Sequence, residues 1–487
     1  MEVTDKDLVS VQEVRNLIAD AKVAQRQLAT FSQARIDAIV EAISEATYAQ
    51  RERLAKMANE ETGFGVWQDK VIKNVFASKV VYESIKDMKT VGILREDRQA
   101  KITDVAVPVG VVAGLIPSTN PTSTVIYKAM IAIKAGNAIV FSPHPNALRS
   151  IVATVAIIKK AAALAGAPDG WIGVMTTPTM EGTHELMTHK DVSLILATGG
   201  NAMVRAAYSS GTPAIGVGPG NGPAFIERSA DITMAVKRVM DSKTFDNGTI
   251  CASEQSIIVE RVKEAEVKAE LVKQGAYFLS DEESDKLARF ILRPNGTMNP
   301  AIVGKSVQHI AKLAGLVIPA DRRLIVAPTN EVGHGCPYSR EKLAPIIAFY
   351  VVEDWEEGCE LAIKILAGEG AGHTMMLHTT NEDVVREFGL KKPVNRVLVN
   401  TPGALGGIGA TTNLVPALTL GCGAVGGSST SDNIGPQHLF NIRRIAYGVR
   451  ELDDIRAAEA PTSEVTVPAG CEELVSVVVQ QVLAALK

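Results

Sequence analysis

The chain of 487 residues reads as an α/β protein with two doubly wound parallel sheets and a small accessory element. Three features carry that reading. The length exceeds what one hydrophobic core holds and suits two or three domains. Short aliphatic runs alternate with helical stretches, the order of a parallel sheet covered on both faces. Forty glycines, often clustered just after those runs, supply tight turns and close backbone approaches.

Taken in order, the segment from Val11 to about Met88 is helical, with Ile36, Ile39, Val40 and Ile43 at three-to-four spacing. From Asp104 the pattern changes. VAVPVGVVAGLIP gives two short strands, followed by the turn PSTNPTS and a helix from about Thr124 to Lys134. AGNAIVFSPHP repeats the scheme as turn, strand and Pro-bounded loop, and Ala147 to Ala165 is again helical. VSLILATGG and PAIGVGPGNGPAFI are two further strand-plus-glycine units. Such a sheet places its ligand at the strand carboxyl ends. A second α/β unit runs from about Asp231 to Gly421, with strands in QSIIVE, RLIVAP, IIAFYVV and RVLVN. The Gly- and Ser-rich segment Thr401–Gly435 reads as irregular loop near a site.

These segments divide the chain into an N-terminal domain over 1–227, to which 430–455 returns, and a second domain over 228–429. A linker over 456–470 then leads to an isolated amphipathic helix over 471–487.

Composition excludes several classes. Lys plus Arg total 50 against 54 for Asp plus Glu, so the chain, at −4, holds no attraction for nucleic acid or an anionic membrane. The first residues are acidic and lack the order of a signal peptide, and no apolar run approaches the length of a membrane span. The five Cys (251, 336, 359, 422 and 471) are scattered without metal-ligand spacing. A reduced, cytoplasmic protein with no metal site is expected.

The chemistry centres on FDNGTICASEQ, residues 245–255, with Cys251 in its middle. A thiol there can add to an aldehyde and form a thiohemiacetal, from which hydride leaves readily. Gly248 leaves room beside it, and Asn247 offers amide donors. The string resembles the nucleophile motif of the aldehyde dehydrogenase superfamily, and CASEQ is similar to its CoA-acylating branch. The resemblance runs from about Val11 to Leu452. It includes PVGVVAGLIPSTNPTSTVIYKAMIAIKAGNAIVFSPHP, LATGG, EKLAPIIAF and NTPGALGGIGATTNL.

From the resemblance follow an aldehyde dehydrogenase-like fold, with a small bridging or oligomerisation element, and a set of site residues. Cys251 is the implied nucleophile. The turn PSTNP supplies a side-chain donor to the oxyanion hole, either Asn120 or Thr119 according to a one-residue choice of alignment, with Asn120 preferred. Thr198, Gly199 and Gly200 fall in the loop near the cofactor phosphates. Glu341 corresponds to the Glu that holds the nicotinamide ribose, with a solvated helix-face Glu as the alternative.

The departures from the pattern are informative. Hydrolytic members carry a Glu that activates water, and VGPGNGP puts Val217 in its place, above a glycine-lined floor at Gly218, Gly220 and Gly222. Valine takes no proton, so the acyl-enzyme is left to a second thiol, and transfer to CoA is favoured. Glu254 could be read as a relocated base, but a structural partner is the preferred reading. Ser142 stands where many hydrolytic members have a ribose-binding Lys, and His144 follows it. The resemblance implies one slot that NAD and CoA occupy in turn, with His144 either touching a phosphate or merely solvated.

The expected reaction is therefore NAD-dependent, CoA-acylating oxidation of a short-chain aldehyde such as propionaldehyde or acetaldehyde. Segments near Lys101–Val112 and Arg443–Arg450 resemble subunit-bridging elements and imply a homo-oligomer, a dimer or tetramer. In the tail, Leu474, Val475, Val478, Val479, Val482, Leu483 and Leu486 form one helical stripe. The stripe is similar to peptides that carry enzymes into bacterial microcompartments; docking on its own subunit is the alternative.

Overall fold

The computed structural model describes residues 4–459 and 469–486. The helices of the N-terminal segment are Lys6–Leu28, Gln33–Ala49, Arg51–Thr62 and Trp67–Val75, the last continued by one wide turn over Phe76–Val80. Ile36, Ile39, Val40 and Ile43 are buried, as their spacing requires.

The first sheet has five strands in the order Ile172–Val174, Ala138–Pro143, Val111–Ile116, Val192–Ala197 and Ala214–Gly216, all parallel. Its central strands are buried on both faces, which is why they read as unbroken aliphatic runs. The chain winds outward from Val111–Ile116 in one direction and then returns to its other side. The switch point lies between that strand and Val192–Ala197. The helix Pro121–Lys134, begun by a proline in its first turn, is buried along its whole length.

The second sheet has seven parallel strands in the order Ala276–Phe278, Leu324–Pro328, Ile346–Val352, Glu254–Glu260, Gly222–Ile226, Gly372–His378 and Val394–Val399. Both sheets belong to one contact unit, which runs to Leu94 and then over Ala106–Ile442. An α/β fold with two parallel sheets is what the sequence predicts. The stretch PAIGVGPGNGPAFI differs from the prediction in detail: its two strands lie in different sheets, and Val217–Asn221 is the crossing between them.

The second unit comprises Arg95–Val105 and the chain from Arg443 onward. It takes in the outer parts of a three-stranded sheet of Gly92–Asp97, Ile102–Pro108 and Phe440–Ala446, where Arg444 pairs with Asp104 at 3.4 Å. A helix over Leu452–Glu459 enters the stretch read as a linker from 456, a correction to that boundary: the acidic first turn and alanine run favour helix there. The rest of that stretch, 460–468, lies outside the described residues. The tail helix follows as Glu472–Ala485. Among the described residues no helix is long and apolar enough to cross a membrane.

Candidate active site

The carboxyl ends of the five-stranded sheet and the loops entering the seven-stranded sheet at its amino ends close on one cavity of about 660 Å³. Leu115 to Asn120 and Thr198 to Gly200 approach from the first sheet, and Val217, Cys251 and Glu341 from the second. The carboxyl-end rule therefore describes half of the site. Cys251 sits before the strand Glu254–Glu260, not after it.

The loop carrying Cys251 is conformationally unusual. Asp246 (φ 50°), Asn247 (φ 53°) and Gly248 (φ 75°) are three consecutive left-handed residues. For the two that are not glycine this costs about 1–2 kcal/mol each, so the surroundings must impose it. The Asp246 carboxylate accepts from Val66 N at 2.7 Å, Lys70 Nζ at 2.9 Å, Thr249 Oγ1 at 2.8 Å and also from Lys73 Nζ. Its own N–H donates to Asp69 Oδ2 at 2.7 Å. Burial acts to raise the Asp246 pKa, but the ammonium groups of Lys73 and Lys70 hold it below its ordinary value. Asn247 donates its amide to Gly304 O at 2.9 Å, so it serves the loop and not the substrate. Gly248 backs onto the Ala344 backbone, where a Cβ would come within 2.9 Å of the Ala344 oxygen.

Gly220 lies against the other side of the same loop. A Cβ there would fall 1.7 Å from the Cys251 carbonyl oxygen, so the crossing can run beneath Cys251 only as glycine. Gly218 has ordinary room, with Cys422 Sγ 3.7 Å from the place of a Cβ. Val217 is buried and lines the cavity.

The Cys251 thiol also lines the cavity; burial, then the charge of Glu341, pushes its pKa up to about 12. Glu341 Oε1 accepts from Gly220 N at 3.0 Å, and burial followed by the charge of Glu369 raises its pKa to about 8. Glu341 stands in a loop before its strand, not on a helix.

Asn120 occupies the N-cap position of Pro121–Lys134, where an Asn ordinarily caps the helix; here its side chain makes no capping bond. Instead Nδ2 donates to Thr249 O at 3.2 Å, two residues before Cys251, while Oδ1 accepts from Lys73 Nζ at 2.6 Å. Thr119 Oγ1 is 3.3 Å from Asn120 Nδ2, and the Thr119 carbonyl accepts from Lys70 Nζ at 3.0 Å. Asn120 is thus the residue whose amide is turned toward the Cys251 loop.

At the far side of the cavity, Thr198 Oγ1 is buried without a hydrogen-bond partner. Gly199 and Gly200 lead into the helix Asn201–Ser209, whose N-cap, Gly200, offers no side-chain cap and leaves open space where a Cβ would stand. Ser142 Oγ lies 2.8 Å from Thr183 Oγ1. His144 Nδ1 accepts from Asn146 N at 3.1 Å, and partial burial lowers its pKa. Gly222, read as part of the floor, is the first residue of a buried strand and is not among the lining residues.

Glu254, weighed as a relocated base, is buried outside the cavity lining, with Oε1 accepting from Gly403 N at 2.8 Å. Burial pushes it up to about 7. It is a structural partner of the late loop. Lys73 and the apolar wall of Ile408, Leu418 and Leu420 are cavity residues that the sequence reading did not single out. GGIG marked the neighbourhood of Ile408, but nothing local marked Lys73.

The cavity thus brings together Cys251, whose loop carries three left-handed residues, the Asn120 amide turned toward that loop, and the buried Glu341 carboxyl. The model of the aldehyde dehydrogenase family matches residues 2–312, and the chain belongs to that family. The bifunctional aldehyde-alcohol dehydrogenase of Escherichia coli K12 is 45% identical over 444 residues, 90% of this chain and 50% of that protein. The chain thus spans about half the length of such curated relatives. The succinate-semialdehyde dehydrogenase (acetylating) of Clostridium kluyveri is 39% identical, covering 90% of this chain and 96% of that protein. Among solved structures, a probable aldehyde dehydrogenase from Listeria monocytogenes is 71% identical at a TM-score of 0.92, covering 93% and 100% of the two chains. A propionaldehyde dehydrogenase from a fucose utilisation bacterial microcompartment of Clostridium phytofermentans is 27% identical, with a TM-score of 0.81 and coverage of 89% and 97%. That of Rhodopseudomonas palustris, solved with bound CoA and an acylated cysteine, is 26% identical, with a TM-score of 0.80 and coverage of 89% and 97%.

Proposed function

We propose that this protein is a CoA-acylating aldehyde dehydrogenase that oxidises a short-chain aldehyde with NAD through a thioester on Cys251. One observation carries the reading: Val217, with no proton to accept or give, lines the same cavity as Cys251. The acetylating relative and the neighbour with bound CoA and an acylated cysteine support it.

The residues present fit the cofactor. Thr198 Oγ1 is a buried hydroxyl in want of a partner, and the uncapped helix start at Gly200 suits a phosphate. Ser142, His144 and Glu341 complete the slot. When bound, NAD supplies the hydride acceptor and CoA the thiol that takes the acyl group.

The chain's own residues do the rest. Cys251 gives up its proton to water and adds as the thiolate to the carbonyl carbon, and the Asn120 amide with the Cys251 main-chain N–H holds the oxyanion that forms. Loss of hydride from the thiohemiacetal leaves an acyl thioester on Cys251. The wall of Val217, Ile408, Leu418 and Leu420 offers no base where hydrolytic members carry one, and the Glu341 carboxyl is engaged by Gly220 N–H, so the thioester waits for a thiol.

The test follows NADH absorbance with propionaldehyde and NAD, with and without CoA, for the wild type and Cys251→Ala. CoA-dependent turnover that vanishes in the variant is expected. Equal steady-state turnover without CoA would mean that water deacylates the enzyme, and the reading of Val217 would fall.

Two further parts of the reading concern assembly. A homo-oligomer is supported by the exposed apolar side chains Ile442, Ile445, Tyr447 and Val449 in and beside the strand Phe440–Ala446. A cytoplasmic enzyme recruited to a microcompartment shell through its tail is supported by the helix Glu472–Ala485, none of whose residues is buried. The microcompartment neighbour points the same way.

A further inference from the structure

Lys73 is the least expected side chain at the site. It is 3% exposed, on the helix Trp67–Val75, whose sequence belongs to none of the motifs above. A buried ammonium persists only where its donors are satisfied, and this one has three acceptors for its three protons. They are the Asp246 carboxylate, Thr249 Oγ1 at 3.0 Å and Asn120 Oδ1 at 2.6 Å.

The third of these bears on the chemistry. A carboxamide can sit either way round, and its neighbours decide which. An ammonium only donates, so the atom facing Lys73 must be the Asn120 oxygen. A carbonyl only accepts, so the atom facing Thr249 O at 3.2 Å must be the Asn120 nitrogen. The amide is therefore oriented from both ends, with one N–H on Thr249 O of the Cys251 loop and the other directed to Thr119 Oγ1 at 3.3 Å, the longer contact and the one an oxyanion would replace. A cation on Oδ1 also draws electron density from the amide nitrogen and strengthens its N–H groups as donors. Lys70 stays on Asp246 and the Thr119 carbonyl, so it cannot substitute for Lys73 at Asn120.

We propose that Lys73 is a positioning residue for the acylation step, orienting and polarising the Asn120 amide so that it can hold the oxyanion formed when Cys251 attacks a carbonyl. The proposal rests on the reading of Asn120 and Cys251 given above. It adds a dependence of the oxyanion hole on an N-terminal helix far from it in sequence.

The experiment uses p-nitrophenyl acetate, whose acetyl group Cys251 takes with release of p-nitrophenolate and without NAD or CoA. The rate of one-equivalent acylation, checked by the mass of the acetylated protein, is compared among wild type, Lys73→Met, Asn120→Ala and the double variant. Loss of an oxyanion donor costs on the order of a hundredfold in rate. Asn120→Ala is expected to lose about that factor, and Lys73→Met about thirtyfold on the same scale. The double variant is expected to be no slower than Asn120→Ala, because Lys73 has nothing left to position. Lys73→Gln, which keeps a donor without the charge, should fall between wild type and Lys73→Met, and it carries the comparison if the Met variant fails to fold. Alkylation of Cys251 by iodoacetamide, which forms no oxyanion, should stay within about twofold of wild type throughout.

Multiplying losses in the double variant, an unchanged rate in Lys73→Met, or an unaffected Asn120→Ala would each overturn the proposal. So would a parallel loss of alkylation, which would mean that Lys73 merely holds the loop in place. A wild type that forms no NADH with CoA present would remove the dehydrogenase reading and leave this cycle to be decided on its own.

Discussion

At the scale of single residues, the Glu341 carboxyl is held against Gly220 N–H, in the cavity that Cys251 also lines, in a place that disfavours its charge. Burial, then the neighbouring charge of Glu369, raises its pKa from the ordinary 4.5 to about 8, with Gly220 N–H, Lys243 and Lys342 opposing. Between those two values the folded protein binds more protons than the unfolded chain. Stability from this group is therefore complete below about 4.5 and is lost as pH rises through 8. Glu341→Gln removes the penalty, so its melting temperature should match the wild type near pH 5 and exceed it increasingly toward pH 8.5. A difference that stays flat across that window would mean the carboxyl ionises freely in the fold. Residues of this kind divide by how local their signals are. Cys251 and Val217 were legible because each lies in a short string whose neighbours fix its place. Lys73 was not, since its partners lie 47, 173 and 176 residues away and no local pattern distinguishes it from a surface lysine.

At the scale of elements, the buried helix Pro121–Lys134 does more than fill the space beside the sheet. Lys128, fully buried, donates to Leu115 O at 2.8 Å and Leu196 O at 2.7 Å, carbonyls near the carboxyl ends of two adjacent strands. Those strands lead directly to Asn120 and Thr198, so one amine ties together the two edges of the switch point. Burial drives its pKa well down. Lys128→Met keeps the volume and abandons two carbonyls, at a cost of about 3 kcal/mol. The readout is chemical denaturation, and an unchanged midpoint would show that water replaces the amine. The elements that sequence made legible were those with continuous aliphatic runs, such as Val111–Ile116 and Ile346–Val352. Gly372–His378 escaped notice although it is buried throughout, because GHTMMLH places histidine near both ends of the strand and breaks the run. Val217–Asn221 was misjudged for another reason: a glycine-rich turn has the same composition whether it closes one strand unit or carries the chain between sheets.

At the scale of the whole molecule, the residues lining the cavity and the tail helix belong to different units of the chain. Every site residue named above lies in the unit ending at Ile442. Eight apolar residues of that helix and its C-cap, from Leu474 to Leu486, are each between 44% and 78% exposed. A helix of 14 residues is marginal by itself in water, and an exposed stripe of this size gains its stability only by being covered. If a shell provides the cover, removing residues 460–487 separates two properties that the intact chain combines. Turnover with propionaldehyde, NAD and CoA should be unchanged, because no residue of the cavity is lost. Sedimentation with microcompartment shells should be abolished, and fusion of residues 469–487 to an unrelated soluble protein should confer it. Loss of turnover on truncation would instead make the tail part of the enzyme's own architecture. Retained sedimentation would place the shell contact elsewhere, with the exposed strand Phe440–Ala446 the next surface to alter.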